Sequence, residues 1–587
     1  MSRRTKIVCT IGPSVNSLER VLALIDAGMN VARLNFSHGD HEEKSAKIAM
    51  LKEARKKMGS PLAIMLDTKG PEVRLGTIAG GTITLEQGQR WLLTRETIEG
   101  DRTRVSITPG YVLDCLFPMA IIFFNDGYIT SRVTALHSDG VEVEILNGGA
   151  ISSRKGVNIP NISLNLPAIT EADEADIRFG CKHDIDIIAA SFVRSPENIL
   201  TVKQLLAEED KEETLVLAKI ENSEGVQNFD SIIQVADGVM VARGDLGVEV
   251  PLSQVPKLQK MMIRKCYLAG KPVVTATQML ESMIYNPRPT RAEVSDVANA
   301  IYDSTSAVML SGETAVGKYP IETLRMMTST IEEAEADFNY RAVFEQHSRL
   351  AYHDVPSSLT LAAVKTAYNA EARAIFAFTN AGSTARLISR LRPHMPIVVL
   401  TSREKCYHQL AISWGIIPCL ASESSTMREA FDKLCSFALQ QKLVSYGDLV
   451  VVTAGAPFGI SGTTNMMMVE SIGDVLARGE SGFGVRQHGN IALTLSSATR
   501  RPYAVRGLLL VMLHCDPSYL PLLREASGFI LENQIDDLES ERYALDIAKE
   551  LNKSCIVRAD GAMRHLKEGQ LVTIDPTKAI VYKGVVL

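Results

Sequence analysis

The sequence predicts an α/β protein whose first 340 residues form a (β/α)8 barrel interrupted by a small β domain. Three observations predict it. Eight short apolar, β-branched runs recur along the first 320 residues, separated mostly by helix-like segments. Polar and charged residues gather at or just past the C-terminal end of each run. One gap, from Asp67 to Ile185, is far longer than the others at nearly 120 residues, and alternates apolar with polar positions. Continuous apolar runs alternating with helices indicate a parallel sheet. Eight of them suggest closure, with functional groups at the C-terminal ends of the strands.

The runs are KIVCT (6–10), NVARLNF (30–36), LAIMLD (62–67), IDIIAASF (185–192), LVLAKI (215–220), DGVMVAR (237–243), PVVTATQ (272–278) and AVMLSGE (307–313). They assign residues 1–70 and 168–340 to the barrel. The stretch 71–167, with its Gly turns and period-two alternation, reads as an inserted antiparallel β domain. Standing over a barrel mouth, it would serve as a lid. After residue 340, RAIFAFT (373–379), PIVVLTS (396–402) and GDLVVVTAG (447–455) alternate with helices, which predicts an α/β layer over 341–473. SIGDVLARGESGFG (471–484), rich in Gly and Ser, reads as a linker into a last unit, 474–587.

The bulk properties narrow the function. The 587 residues suit about four domains, and 46% hydrophobic with 22% charged residues is ordinary for a globular protein. A net charge of −6 and a pI near 6.1 argue against nucleic-acid or polybasic membrane partners. The opening MSRRTKIVCT has too short an apolar stretch for a signal peptide. Nine scattered cysteines without a C-x-x-C pair read as reduced core residues of a cytoplasmic protein.

The strand ends supply the chemistry. Side chains two apart share a face, so Lys219 and Glu221 project together. The ring they join comprises Arg33, Asn35, Ser37, Asp67, Thr68, Ser191, Arg194, Arg243, Asp245, Thr277, Ser311 and Glu313. Glu221 and Asp245 lie one βα unit apart and suit a hard divalent ion such as Mg2+ or Mn2+; a structural salt-bridge cluster with Lys219 is the other reading. Arg33 suits a phosphate or carboxylate, while Asn35 and Ser37 offer oxygens to a monovalent cation; a merely polar strand is the alternative. Thr277 at a strand end reads as packing on its own. TNAGSTA (379–385) stands at a helix start, where free amides form an anion site or Ser383 caps the helix.

Taken together, TKIVCTIGP (5–13), GMNVARLNFSHG (28–39), LDTKGPEVR (66–74), SRKGVNIP (153–160), LAKIENSEG (217–225), VMVARGDLGVEV (239–250), ATQMLESMIYNPRPTRAEVSDVANA (276–300) and MLSGETAVGKYP (309–320) closely resemble the pyruvate kinase family. The resemblance implies transfer of the phosphoryl group of phosphoenolpyruvate to ADP, the last step of glycolysis, by a homotetramer under a phosphorylated sugar or nucleotide effector. It implies a (β/α)8 barrel of the TIM type with an inserted small β-barrel lid and a C-terminal α/β regulatory domain. It assigns Mg2+ to Glu221 and Asp245, and K+ to Asn35, Ser37, Asp67 and Thr68, with Glu72 a mark of potassium dependence. Lys219, Thr277 and Arg33 become catalytic. Substrate contacts fall to Arg33, Gly244, Asp245 and Thr277. Nucleotide contacts fall to Asn35, Arg74 and Lys155, and effector contacts to Thr379, Ser383, Thr384, Thr401 and Ser402. Without the resemblance, a metal-dependent pyruvate-enolate lyase or aldolase, or a non-catalytic metabolite sensor, would share these features.

The chain departs from the family pattern at three places. Asn125-Asp126 stands where two Asp are usual. IYDSTSAVML (301–310) replaces ILDGTDAVML, putting Ser304 for Gly and Ser306 for Asp. Ala381 stands where Ser is common. Residues 474–587 resemble the mobile phosphohistidine domain of phosphoenolpyruvate-utilising enzymes, an α/β unit, but Tyr543 occupies the place of the phosphorylated histidine. His488, His514 and His565 lie elsewhere. A carrier without its nucleophile cannot shuttle phosphate, so this unit reads as a structural appendage.

Overall fold

A computed structural model describes residues 3–348, 354–455 and 464–586. The eight expected runs all form strands: β1 Lys6–Thr10, β2 Val31–Asn35, β3 Ala63–Asp67, β4 Ile187–Ala190, β5 Leu215–Ile220, β6 Gly238–Ala242, β7 Val273–Ala276 and β8 Ala307–Leu310. They pair in sequence order, all parallel, and β8 returns to β1 to close the barrel. The register sets β1 Lys6 against β8 Ala307 and β2 Arg33 against β3 Met65.

Alternation along the strands divides the core in two. Val8, Val31, Met65, Ala189, Leu217, Met240, Val274 and Met309 fill the barrel interior. Their neighbours Cys9, Ala32, Leu66, Ile188, Ala218, Val241, Val273 and Val308 face the surrounding helices. Six of the eight inward rows continue, two residues on, into a polar group (Thr10, Arg33, Asp67, Ser191, Lys219 and Ser311), while those of β6 and β7 end in Ala242 and Ala276. Leu215 and Leu217 point inward, so Lys219 must too. At the opposite end, Ala411 and Ile412 join the inner cluster, and the Gly415 N–H donates to the Arg4 carbonyl at 2.9 Å.

Between β3 and β4 lies the inserted β domain. Its seven-stranded sheet runs in the order 157–158, 121–124, 129–136, 140–145, 90–94, 104–108, 74–75, beside a two-stranded sheet of 82–85 with 149–152. Most pairs are antiparallel as expected, but 92–94 runs parallel to 104–106. Trp91 and Phe124 meet edge to face at the centre of its core. Asn125 and Asp126 both adopt left-handed backbone (φ 52° and 57°) before Gly127 (φ 84°). Asn tolerates that conformation better than most residues, so the Asn125 departure suits its turn.

Contacts divide the chain into two compact units. The barrel, the inserted domain and residues 378–423 belong to the first, in which 397–401 pairs in parallel with 416–420. The second holds 362–377, 424–458 and 465–587. In it 374–377 pairs in parallel with 450–453, and an eight-stranded mixed sheet runs 475–478, 580–583, 571–575, 487–493, 509–512, 528–531, 554–557, 481–483. Helix Leu538–Leu551 lays Ala544, Ile547 and Ala548 on that sheet's core.

The expected linker over 471–484 is corrected here. Val475–Arg478 pairs with 580–582 and Ser481–Phe483 pairs with 555–557, so the segment supplies both edges of the sheet. Its glycines serve close approach. A Cβ on Gly482 would lie 2.6 Å from the Cys555 carbonyl oxygen and 2.7 Å from that of Pro576. Gly482→Ala is therefore expected to lower the stability of this unit by about 1–3 kcal/mol, the usual range for overpacking. Chemical unfolding measures it, and an unchanged midpoint would contradict the close packing.

Candidate active site

The inward row of β5 ends in Lys219, whose Nζ donates to Asp67 Oδ1 at 2.9 Å and Ser191 Oγ at 2.6 Å, and lies 3.1 Å from Glu221 Oε1. The other oxygen of Asp67 accepts Arg33 Nε at 2.5 Å, and Arg33 Nη1 donates to Thr10 Oγ1 at 2.9 Å. One carboxylate thus fixes both cations, each by a different oxygen. Asp67 is fully buried. Burial alone would raise its pKa, but Arg33 and Lys219 together hold it below the ordinary carboxylate range. Burial likewise opposes the charge on Lys219, and Asp67 and Glu221 overcome it, keeping the ammonium protonated well above neutral pH.

Glu221, 1% exposed, accepts the Phe192 N–H at 2.6 Å. Asp245, on the short helix after β6, shares a hydrogen bond with it. Burial first, and then neighbouring carboxylates, raise the pKa of both: Asp245 acts on Glu221, and Asp126 and Glu72 act on Asp245. Two desolvated carboxylates brought together in this way form a donor set that fits a hard divalent cation. Among the described residues no group of three or more acidic, His or Cys side chains forms a metal site, so further ligands would come from substrate and water.

Thr277 and Gln278, just past β7, have positive φ of 65° and 55°. Left-handed backbone at a Thr is strained and marks functional turns. Thr277 Oγ1 accepts the Gly244 N–H at 2.8 Å and donates to the Ala276 carbonyl at 2.6 Å, which ties the β7 end to the Gly244-Asp245 turn. Thr68 Oγ1 accepts the Ser191 N–H at 3.0 Å. Asn35 Oδ1 accepts the Ser37 N–H at 3.0 Å, which keeps these two polar side chains on one turn.

Three members of the expected ring have other duties. Arg243 donates to the Ala276 and Thr277 carbonyls and to Asp296, so it braces the strained turn. Glu313 accepts the Ser311 and Leu280 N–H groups. Arg194 donates to the Leu166 and Pro167 carbonyls. Each is a long side chain turned onto nearby backbone, which residue spacing does not reveal; Arg194 Nη1 is left buried without a partner. Conversely, the partnership of Thr10 with Arg33 went unforeseen, although Thr10 continues the inward row of Val8.

Beside this cluster a cleft of about 270 Å3 is lined by Glu72, Arg74, Asp126, Lys155, Asp245 and Glu249, among others. Arg74 is held by Glu72 at 2.5 Å and by the Arg154 carbonyl at 3.0 Å. In the 379–385 loop the helix begins at Ser383 with Gly382 as its cap, which overturns capping by Ser383. Thr379 Oγ1 accepts the Gly382 N–H instead, at 2.9 Å. Thr384 is buried against Thr464 at 2.5 Å, and Thr401 Oγ1 accepts the Arg403 N–H, while Ser402 is exposed.

Residues 2–324 match the family model described as pyruvate kinase, barrel domain; 357–470 match pyruvate kinase, alpha/beta domain; and 505–579 match PEP-utilising enzyme, mobile domain. The chain is 42% identical to a pyruvate kinase of Geobacillus stearothermophilus, covering 100% of this chain and 99% of that one. It is 41% identical to one from Bacillus licheniformis, covering 99% of each. A crystal structure of a pyruvate kinase from Cryptosporidium parvum superposes with a TM-score of 0.77 at 38% identity, covering 80% of this chain and 96% of that one. A closed barrel whose inward rows end in a carboxylate-locked pair of cations, with family likeness along nearly the whole length, leaves one conclusion: the chain belongs to the pyruvate kinase family of phosphotransferases.

Proposed function

We propose that the barrel mouth transfers the phosphoryl group of phosphoenolpyruvate to ADP, with Lys219 and Arg33 as the cations that neutralise it in flight. The observation that carries this reading is the Asp67 bridge, which holds both cations 2.5–2.9 Å from one buried carboxylate. A loose phosphoryl transition state needs little covalent help and much fixed charge. Cations already locked in place need no reorganisation as that charge develops.

The remaining roles follow from position. Glu221 and Asp245 would hold Mg2+ or Mn2+, which when bound supplies fixed positive charge beside the substrate's carboxylate and enolate oxygens. Thr277 Oγ1 holds a proton beside Gly244 and serves protonation of the enolate carbon, directly or through water. Arg74, Lys155 and Asn35 serve the nucleotide side. Asn35, Ser37, Asp67 and Thr68 offer the oxygens of a potassium site. The loop at 379–385 and the 401–402 turn are the effector reading, in a homotetramer. The domain division 1–70 with 168–340, 71–167, 341–473 and 474–587 serves as the frame for these roles.

The last domain is read as a non-carrier. His514, the histidine nearest the start of helix Leu538–Leu551, has Nδ1 against Ser540 Oγ (2.6 Å) and Asp537 (3.2 Å), and Nε2 3.4 Å from Asp516. Two carboxylates repel an incoming phosphoryl group.

Lys219→Met is expected to lower kcat by about 10²–10³, the range for losing one preorganised donor, while equilibrium binding of phosphoenolpyruvate changes only a few-fold. Turnover within tenfold of the parent would sink the assignment. Potassium is expected to be required for full activity, so rates in buffer holding only tetramethylammonium should fall well below those in potassium. Equal rates would remove the proposed site.

A further inference from the structure

The chain crosses between barrel and inserted domain twice, and packing locates each crossing. On the way out, Leu66 lies in the barrel's helix-facing core, while Val73 lies in the core of the inserted domain. On the way back, Leu166 packs on the inserted domain's core and Ile169 on the barrel's. The outgoing connection thus lies between residues 66 and 73, the returning one between 166 and 169.

Both connections meet at one carboxylate. Asp173, 1% exposed, belongs to helix Glu171–Lys182, which begins just after the second crossing. Its Oδ2 accepts the Thr170 N–H at 2.9 Å and the Thr170 hydroxyl at 2.7 Å. With the Asp173 N–H donating to Thr170 Oγ1 at 3.1 Å, that half is an ordinary capping box. The other half is not. Oδ1 accepts the Gly70 N–H at 2.9 Å, across 103 residues of chain, and so ties the outgoing connection to the returning one.

Gly70 is committed to that position. It takes φ 76°, and a Cβ there would lie 2.8 Å from Ser191 Cβ and 2.9 Å from the Phe192 ring. Those neighbours serve the catalytic cluster: Ser191 Oγ accepts Lys219, and the Phe192 N–H binds Glu221. Arg194 grips the returning connection, donating to the Leu166 and Pro167 carbonyls at 2.7 Å each. Beyond Val73 comes Arg74, and the next N–H, of Leu75, donates to the Lys155 carbonyl at 2.9 Å. Arg74 Nη1 donates to the Arg154 carbonyl beside it. A shift at Gly70 therefore carries both Arg74 and Lys155.

We infer that Asp173 is the hinge pin of the inserted domain, a positioning residue that holds its two connections together and sets where Arg74 and Lys155 stand over the barrel mouth. The consequence for the nucleotide rests on the phosphoryl-transfer reading; the pin itself does not.

Hydrogen exchange on the full-length protein, read by mass spectrometry over 66–74 and 166–172, tests the pin without turnover. Asp173→Ala strands the buried Gly70 and Thr170 N–H groups. It is expected to speed exchange in both segments about tenfold, the loss of a hydrogen bond to a charged acceptor. Asp173→Asn, the milder change, keeps one acceptor oxygen for two sets of donors and should free one segment. Thr170→Val removes the cap hydroxyl but leaves the Gly70 bond, so exchange over 66–74 should match the parent. In turnover, Asp173→Ala should raise KM for ADP about fivefold, while KM for phosphoenolpyruvate, bound by barrel residues, stays within twofold. Exchange over 66–74 that is unchanged in Asp173→Ala, or raised equally by Thr170→Val, would overturn the proposal. So would protection of both segments in Asp173→Asn, or KM values for the two substrates that stay put or rise together. A parent without turnover would overturn the phosphoryl-transfer reading and leave exchange alone to judge the pin.

Discussion

Everything at the barrel mouth is organised around one buried carboxylate. Asp67 has no exposed surface and makes strong contacts through both oxygens, to Lys219 on one side and Arg33 on the other. Glu221, 3.1 Å from Lys219, supplies the second carboxylate, so two buried anions offset two buried cations. Removing Asp67 leaves two cations against one carboxylate. The arrangement also orders the two cations before substrate arrives, which a pair of freely rotating side chains on the surface would not do.

The barrel makes that bridge possible. β2, β3 and β5 place Arg33, Asp67 and Lys219 on the inward rows that also carry Val31, Met65 and Leu217. The strands beneath are packed with aliphatic side chains, so the charged layer sits on a rigid, dry floor. Around it, strain is confined to turns: Phe192 (φ 53°) presents its N–H to Glu221, and Thr277 (φ 65°) meets Gly244. Arg243 holds the second of these turns by its carbonyls. Such strain persists because the surrounding structure over-determines it.

Much of this was legible from residue spacing. The period-two rule was enough to aim Lys219 and Glu221 at the same place, and the apolar runs located every barrel strand. The duties of Arg243 and Glu313 were not legible, because a long polar side chain at a strand end can turn to face pocket or backbone without changing the pattern. The 471–484 segment misled for a related reason. Glycine signals both flexibility and close backbone approach, and only the neighbouring strand at 555–557 decides between them. At Ser306 the sequence showed a missing carboxylate but not the buried arginine beside it, since Arg392 lies 86 residues away.

The central claim is that Asp67 acts through the cations it holds. A double-mutant cycle on kcat/KM with Asp67→Asn and Lys219→Met tests it most directly, because neighbours that act as one unit are non-additive. If Asp67 positions Lys219, the double variant should lose little more activity than Lys219→Met alone. Losses that add in full, as for independent sites, would contradict the account.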